Sequence, residues 1–569
     1  MSCLVISRRQ IFQIGAAAAA VATANGLGPL HRALAGQRLT QDKLLQFAPV
    51  GDVTLLHFSD LHGQLTPVHY REPAVNLGVG EAQGVPPHVT GKAFLERFGI
   101  EPGSAEAYAL TAEDFVALAR TYGRIGGLDR AATIVKAVRA ERGEHRVLLL
   151  DGGDTWQGSL GAYRTRGQDM VDCVRLLRPD AMTGHWEFTY GPKRVRELIA
   201  KVDFPFLALN VRDTEWQEPV FPATAVFEKG GVKIAVLGQA FPYTAVANPR
   251  WLVPDWSFGI REEQVRANVV EARSQGAELV VLLSHNGFDV DRKLASRVSG
   301  IDVILTAHSH DALPEVVTVG KTLLVASGSE GKFISRLDLD IGGGTIKAFA
   351  YRLIPLFADA VESDAEMTAA VTRAREPFAS ELARVVGHTD TLLYRRGNFN
   401  GTLDDLIAAA LIEQQDAEIA LSPGFRFGTC LLPGAPITIE DIHNATAITY
   451  PQVYRAHMTG AQLKQILEDV ADNLFNPDPY YQQGGDMVRV GGLGYSIDIG
   501  KPIGQRISDM TLLRTGKPIG SADDYVVAGW ARVNEPVQGP PVWDVVERHV
   551  ERQQTISIPP NTAIHVRGV

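Results

Sequence analysis

Five short blocks hold the residues of this chain best suited to metal-ion chemistry: Asp60-Leu61-His62-Gly63, Gly153-Asp154-Thr155-Trp156-Gln157-Gly158, Gly184-His185-Trp186-Glu187, Ser284-His285-Asn286-Gly287 and Ala307-His308-Ser309-His310. A lone His at a strand end is most often a hydrogen-bonded structural residue, so no block carries weight alone. Five in this order, spread over about half the chain and mostly following short apolar runs, form a pattern. Mixed carboxylate and imidazole donors suit Mn²⁺, Fe²⁺ or Zn²⁺, rather than Ca²⁺ or a thiolate-bound structural zinc. Two such ions about 3.5–4 Å apart can share one hydroxide, lower its pKa and stabilise the oxyanion that its attack creates. The implied chemistry is hydrolysis of an anionic sulfur or phosphorus ester. A carboxylate must bridge the two ions. Asp154 is the candidate, because its glycine-rich turn lets backbone pass close to them.

The apolar runs show what must position these blocks. Residues 53–58 read as a buried strand ending at Ser59-Asp60, and the same pattern recurs at 146–150 before Asp151, at 233–237, at 279–283 before Ser284-His285, and at 303–305 before His308. Helical stretches lie between them, over 127–142, 192–202 and 261–275. Strand and helix in alternation, with polar residues just past the strand ends, predict a layered α/β domain whose site is built on strand-end loops. Residues 66–122, rich in Pro, Gly and Ala, separate two of the blocks; they read as an insertion over the active face or as an ordinary surface excursion. A change of character near 353–366 predicts a linker leading into a helix up to about Val386. A second α/β unit follows from Gly387, with helices near 403–415 and 460–474 and turns at Pro477-Asp478-Pro479 and Gly484-Gly485.

At 569 residues the chain needs two or more cores. Its 45% hydrophobic and 21% charged content is that of an ordinary globular protein. A net charge of −10 argues against a general nucleic-acid binder, so an anionic substrate must be handled locally by metals or a few arginines. The three cysteines, Cys3, Cys173 and Cys430, allow one disulfide at most once an N-terminal leader is removed, and buried thiols are the commoner outcome. Ser7-Arg8-Arg9-Gln10-Ile11-Phe12 resembles a twin-arginine motif; a small apolar run over 14–24 follows, and Ala33-Leu34-Ala35 offers a small-x-small cleavage pattern. A basic start to an Ala-rich helix is the other reading. The apolar run is shorter than the roughly 20 residues a membrane span needs, so a periplasmic protein exported folded is expected.

Over nearly all of the mature chain these blocks resemble the 5′-nucleotidase branch of the calcineurin-like metallophosphoesterases. The resemblance implies a twin-arginine signal peptide over 1–35, a four-layer α/β/β/α metallophosphoesterase-like domain over 50–352, a linker and linking helix over 353–386, and a C-terminal α/β substrate-binding domain over 387–569. Carried onto this chain, the family's ligands become Asp60, His62, Asp154 and His310 for one ion, and Asp154, His185, His285 and His308 for the other. The third block departs from the family pattern Gly-Asn-His-Glu-Phe-Asp. It reads Gly184-His185-Trp186-Glu187-Phe188-Thr189, so the Asn ligand becomes His and the catalytic His-Asp dyad becomes Trp186 and Thr189. Gly-His-Trp-Glu-Phe-Thr-Tyr-Gly instead resembles the SoxB thiosulfohydrolases of bacterial thiosulfate oxidation, as do the long insertion and the leader. That resemblance implies two Mn²⁺, with Zn²⁺ or Fe²⁺ as alternatives. It also implies hydrolysis of a cysteine-S-thiosulfonate on the carrier SoxYZ to release sulfate, among other components of the Sox system. A periplasmic 5′-nucleotidase or related dimetal phosphoesterase is the alternative.

Leaving-group chemistry makes the lost dyad intelligible. A nucleoside alkoxide is a poor leaving group that benefits from a general acid, whereas a persulfide leaves as a stable anion. Trp186 then reads as an aromatic wall of a channel or as core packing. Ser422-Pro423-Gly424-Phe425-Arg426 resembles the family's substrate loop, which implies that Arg426 binds sulfonate oxygens through its planar fork. Pro451-Gln452-Val453-Tyr454 and Gly492-Leu493-Gly494-Tyr495 resemble the regions flanking the nucleoside base, and Tyr495 is read as lining the channel or as a core aromatic. His57 is read as structural, and Asp151 and Glu187 as groups that orient ligands or backbone.

Overall fold

The apolar runs that precede the metal-type blocks are strands in the computed structural model, which describes residues 39–568. The twin-arginine motif, its apolar run, Ala35 and Cys3 lie outside the described residues. The strands are β1 (Val53–Phe58), β2 (Val147–Asp151), β3 (Ala181–Met182), β4 (Thr224–Lys229), β5 (Val232–Gln239), β6 (Leu279–Ser284), β7 (Val303–Thr306), β8 (Val317–Val319), β9 (Thr322–Ala326), β10 (Phe333–Gly342) and β11 (Thr345–Pro355). One sheet runs β11-β10-β1-β2-β3, with β1, β2 and β3 parallel; the other runs β8-β9-β7-β6-β5-β4, with β5, β6, β7 and β9 parallel.

The strands that lead into the blocks, β1, β2, β6 and β7, read as unbroken apolar runs because both of their faces are covered. Val53 and Leu55 of β1 point into an inter-sheet core with Leu148, Val236, Val281 and Leu305. Leu56 and Phe58, one residue out of phase, belong to the outer core shared with helices. The helix Leu128–Arg142 covers the first sheet, while Glu262–Ser274 and Phe288–Arg297 cover the second, completing four layers α/β/β/α. Helix Glu262–Ser274 buries Val265, Val269 and Ala272, one stripe at spacings of four and three.

Beyond β11 the expected continuous helix is interrupted. Helix Ala365–Arg375 gives way to a single 3₁₀ turn, Glu376–Phe378, then to the short helix Ala379–Leu382, and a strand begins at Val385. Pro377 sits in that turn, where its missing N–H stops the helical ladder. The C-terminal unit is built around a four-stranded sheet in the order Val453–Thr459, Asp524–Trp530, Ile419–Ser422, Arg489–Gly491. Helices Thr402–Gln415 and Val542–Gln553 pack together beside it. Thr459 caps helix Gly460–Phe475 by accepting from Gln462 N, and Gln462 reciprocates, so the strand-to-helix turn is fixed locally.

Residues 66–122 contain three short helices, Gly91–Phe98, Ala105–Leu110 and Phe115–Tyr122, whose Phe94, Tyr108, Phe115 and Leu118 join the outer core. The arm before them runs between the two units. His69 O accepts from Cys430 N at 2.7 Å, Tyr70 Oη donates to Arg426 O at 3.3 Å, and Leu77 N donates to Asn398 Oδ1 at 2.6 Å. Cys173 and Cys430 are free and buried. No helix among the described residues is long and apolar enough to cross a membrane.

Candidate metal centre

Every candidate ligand lies just past the C-terminal end of a parallel strand, and backbone hydrogen bonds knit those loops together. Asp60 N donates to Gly153 O at 2.8 Å and His62 N to Asp154 O at 2.9 Å, joining the loop after β1 to the loop after β2. On the second sheet His285 N donates to Gln239 O at 2.8 Å and Ala307 N to Ser284 O at 2.9 Å. The Gly152-Gly153 turn fits only without side chains: a Cβ on Gly152 would stand 2.6 Å from Ser59 Cβ, and one on Gly153 2.9 Å from Gly184 Cα. Asp60, His62, Asp154, His308 and His310 all have φ between 48° and 74°, a region costly for residues with a Cβ. Such strain at one place marks a site over-determined by its surroundings.

The side chains form two groups, Asp154, His185, His285 and His308 in one and Asp60, His62 and His310 in the other, with the donor atoms of each within 4.8 Å of one another. Asp154 Oδ2 lies 2.8 Å from His185 Nδ1, 3.3 Å from His285 Nε2 and 3.9 Å from His62 Nε2, so it faces both groups. Asp60 Oδ1 lies 3.4 Å from His310 Nε2 and 3.7 Å from His285 Nε2. His62 Nε2 and His310 Nε2 are 3.0 Å apart.

The donor set fits cations. His285 Nε2 faces Asp154 Oδ2 and Asp60 Oδ1 at 3.3 and 3.7 Å, and His62 Nε2 faces His310 Nε2 at 3.0 Å, so buried imidazole nitrogens and carboxylate oxygens converge in a way that a cation completes. Burial alone would raise the Asp154 carboxyl, yet attraction to His185 and His62 and hydrogen bonds from His185 and His285 hold it well below the usual carboxylate range. Asp60 is likewise raised by burial and overridden by His310 and His285, reaching about 2. Burial lowers His62, His185 and His308, and brings His310 to about 4, so their lone pairs are available at neutral pH. His285 is the exception: burial pulls it down, but Asp60 and Asp154 lift it to about 9, so cation binding there must displace a proton.

Glu187 and Asp151 hold the frame. The Glu187 carboxylate accepts from the backbone N–H of His185 at 2.8 Å, Thr155 at 2.7 Å, Trp156 at 3.2 Å and Asp154 at 3.3 Å, fixing the second and third blocks against each other. Asp151 Oδ1 accepts from Gly153 N at 2.9 Å and Thr155 Oγ1 at 2.7 Å. His57 is buried in β1, its Nδ1 2.6 Å from Ser327 Oγ, and is not in either group.

Trp186 joins the core of the C-terminal unit and also stands against the site. It is 7% exposed, its ring meets His62 edge-on at 5.1 Å, and Phe425 and Phe427 pack on it at 5.1 and 5.2 Å. Thr189 Oγ1 accepts from Gln157 Nε2 at 2.8 Å and lies 2.9 Å from Thr449 Oγ1. Arg426 reaches the centre's edge: its Nη1 donates to His308 O at 3.1 Å and Nη2 to Gly485 O. A pocket between the two units is lined by Arg426, His308, Asn398, His88 and Gly484.

Tyr495 is not there. It is 1% exposed within strand Leu493–Asp498, in the core formed by Ile419, Leu463 and Val527, so the expectation that it lines a channel fails because both faces of that strand are covered. Two residues that the blocks do not announce do belong to the site. Phe241, just past β5, stacks on His308 at 4.2 Å and lies 4.0 Å from the His185 ring. Arg396 lines the pocket and donates to Ser309 O at 2.9 Å. The signal for Phe241 is its place beyond a strand end, the place the ligands occupy on other strands.

A four-layer α/β/β/α unit with a buried Asp/His centre, covered by a second α/β unit, defines a two-domain hydrolase of the 5′-nucleotidase type. Residues 385–533 match the family model for the 5′-nucleotidase C-terminal domain. A solved sulfate thiohydrolase SoxB from Thermus thermophilus is 36% identical, with a TM-score of 0.89, over 92% of this chain and 98% of that one. The chain therefore belongs to the SoxB family. Relatives further off include an apyrase of Anopheles gambiae, 26% identical over 76% of this chain and 83% of its own length. A 5′-nucleotidase precursor of Thermus thermophilus, at 21% identity and TM-score 0.71 over 90% of this chain and 99% of that one, shares the fold.

Proposed function

We propose that this protein is a dimetal thiosulfohydrolase that releases sulfate from a cysteine-S-thiosulfonate carried by SoxYZ, with two Mn²⁺ as its ions. Asp60, His62, Asp154 and His310 hold one ion in this reading, and Asp154, His185, His285 and His308 the other. When bound, such a pair lowers the pKa of water and offsets charge on the attacked group. The oxygen of water adds to the sulfonate sulfur, the bond between that sulfur and its neighbour breaks with its electron pair leaving on the persulfide, and the protons of the water pass to solvent, giving sulfate and a cysteine persulfide. Arg426 would offer its guanidinium to the sulfonate, and Trp186 would wall the approach. Residues 50–352 would form the catalytic domain, 353–386 the linker and 387–569 the substrate-binding domain, with 66–122 closing over the active face.

One observation carries the reading. Where nucleotidases have an imidazole oriented by a carboxylate, Trp186 is packed against His62 and Thr189 is tied to Gln157 and Thr449. Neither can protonate an alkoxide, so hydrolysis must favour leaving groups that are already stable anions. The 36% identity to a sulfate thiohydrolase supports the same direction. The test is a competition: the pure enzyme receives a carrier with a cysteine-linked thiosulfonate and an excess of 5′-nucleotides, and sulfate and phosphate are both measured. Sulfate should dominate. Dominant phosphate release with the carrier untouched would leave only the broader dimetal hydrolase.

A further inference from the structure

We infer that the C-terminal unit is a structural part of the metal centre as well as the cover of its pocket: the turn at Gly484 and residues 425–428 fix the rings of His308 and His62. Retention of both ions then depends on that unit being seated. The inference rests on the ligand sets given above.

Gly484 carries the argument. A Cβ there would lie 2.2 Å from His308 Nε2 and 2.9 Å from Cδ2, so its bare main chain lies against that edge of the ring. Phe241 stacks on the ring at 29°. With Nε2 buried, unpartnered and roofed by Gly484, the nitrogen left to face an ion is Nδ1. The main chain of the same block is gripped too, because Arg426 donates to His308 O and Arg396 to Ser309 O.

The turn that delivers Gly484 is itself braced. Arg426 donates to Gly485 O, Asp486 N donates to Gly424 O at 2.8 Å, and the buried Asp486 carboxylate accepts from Arg489 Nη2 at 2.9 Å. Around the other ion's ligands Phe427 stacks on His62 at 5.5 Å and 27°. Gly428 N donates to Glu330 Oε1 at 3.2 Å, and Glu330 N donates to Asp60 O at 2.8 Å. Ligands of both groups are thus held in place from the C-terminal side. Partners that orient a ligand typically alter metal affinity 10–100-fold when removed, because a tilted imidazole no longer presents its lone pair.

The test compares Gly484→Ala with Gly504→Ala in the full chain. Both glycines have positive φ, +77° and +86°, but a Cβ on Gly504 meets nothing within 4 Å. The pair therefore separates a collision with His308 from ordinary backbone strain. Mn²⁺ binding is followed by calorimetry and by elemental analysis after gel filtration, without any activity assay. Gly504→Ala should hold two ions with wild-type affinity, while Gly484→Ala should keep one and bind the other about 10–100-fold more weakly. Two ions at wild-type affinity in Gly484→Ala would overturn the inference. Should Gly484→Ala not fold, Phe427→Leu decides: weaker binding of one ion supports the clamp, and unchanged binding removes it. A wild-type protein that binds fewer than two ions would instead sink the ligand sets of the proposed function, and this inference with them.

Discussion

Asp154 divides its carboxylate between two tasks, with Oδ1 accepting from Trp186 N at 2.9 Å and Oδ2 facing His185, His285 and His62. The first task needs only an acceptor, whereas the second needs negative charge. Asp154→Asn separates them, since an amide oxygen can still serve Trp186 while the charge that attracts two cations is gone. The expected outcome is a folded protein whose bound metal falls from two ions to one or none, measured by elemental analysis. Two tightly held ions in this variant would remove Asp154 as the bridge. The residues that such reasoning finds in the sequence are those whose chemistry is unusual where they stand, a His or Asp directly after an apolar run. Residues whose role is contact stay hidden: Phe241 and Phe427 pack on ligand rings, yet as residue types they match any core aromatic. Tyr495 misleads for the converse reason, since a Tyr near a substrate-type loop reads as wall when both faces of its strand are buried.

At the scale of elements, helix Gln168–Val174 carries an ionisable group that works against stability. Asp169 is 5% exposed; its Oδ1 accepts from Thr165 Oγ1 and Met170 N, both at 2.8 Å, while Oδ2 has no partner. Burial pushes its carboxyl up to about 6 from an ordinary 3.8. A raised folded-state pKa favours the protonated form, so the associated stability is fully present below about pH 4 and is lost as pH rises through 6. Asp169→Asn keeps the Oδ1 acceptor without the buried charge. It should stabilise the protein at about pH 7.5 by up to about 3 kcal/mol, roughly two units at 1.36 kcal/mol each, and by little near pH 4. Urea unfolding at both pH values measures this; an equal gain at both would mean that the carboxylate does not carry the cost. The strands beneath the site are legible because burial on both faces leaves an unbroken apolar signature. Residues 66–122 are not, because helices of eight, six and eight residues are too short to show a period between their Gly and Pro breaks. The helix expected to reach Val386 stops early at Pro377, a break written in the sequence that periodicity overlooks.

At the scale of the whole molecule, the centre exists only after most of the chain has folded. Its candidate ligands span residues 60 to 310, lie on the ends of two facing sheets, and are covered by contacts from residues 396 to 485. Ions bound at that stage would be enclosed by both units. Such a protein suits a route that carries folded, metal-loaded cargo, and Ser7-Arg8-Arg9 followed by a small apolar run is the motif that resembles such a route's signal. Both guanidinium groups are expected to be read, and Lys offers a compact point charge in place of the planar fork. Replacing Arg8 and Arg9 together by Lys should leave the uncleaved precursor in the cytoplasm, folded and with its metal, and the periplasmic fraction should lose the mature form. Cell fractionation with detection of both forms measures this. Normal periplasmic accumulation of the double variant would exclude the twin-arginine route, and the centre would then have to form after export of an unfolded chain, with metals taken up in the periplasm.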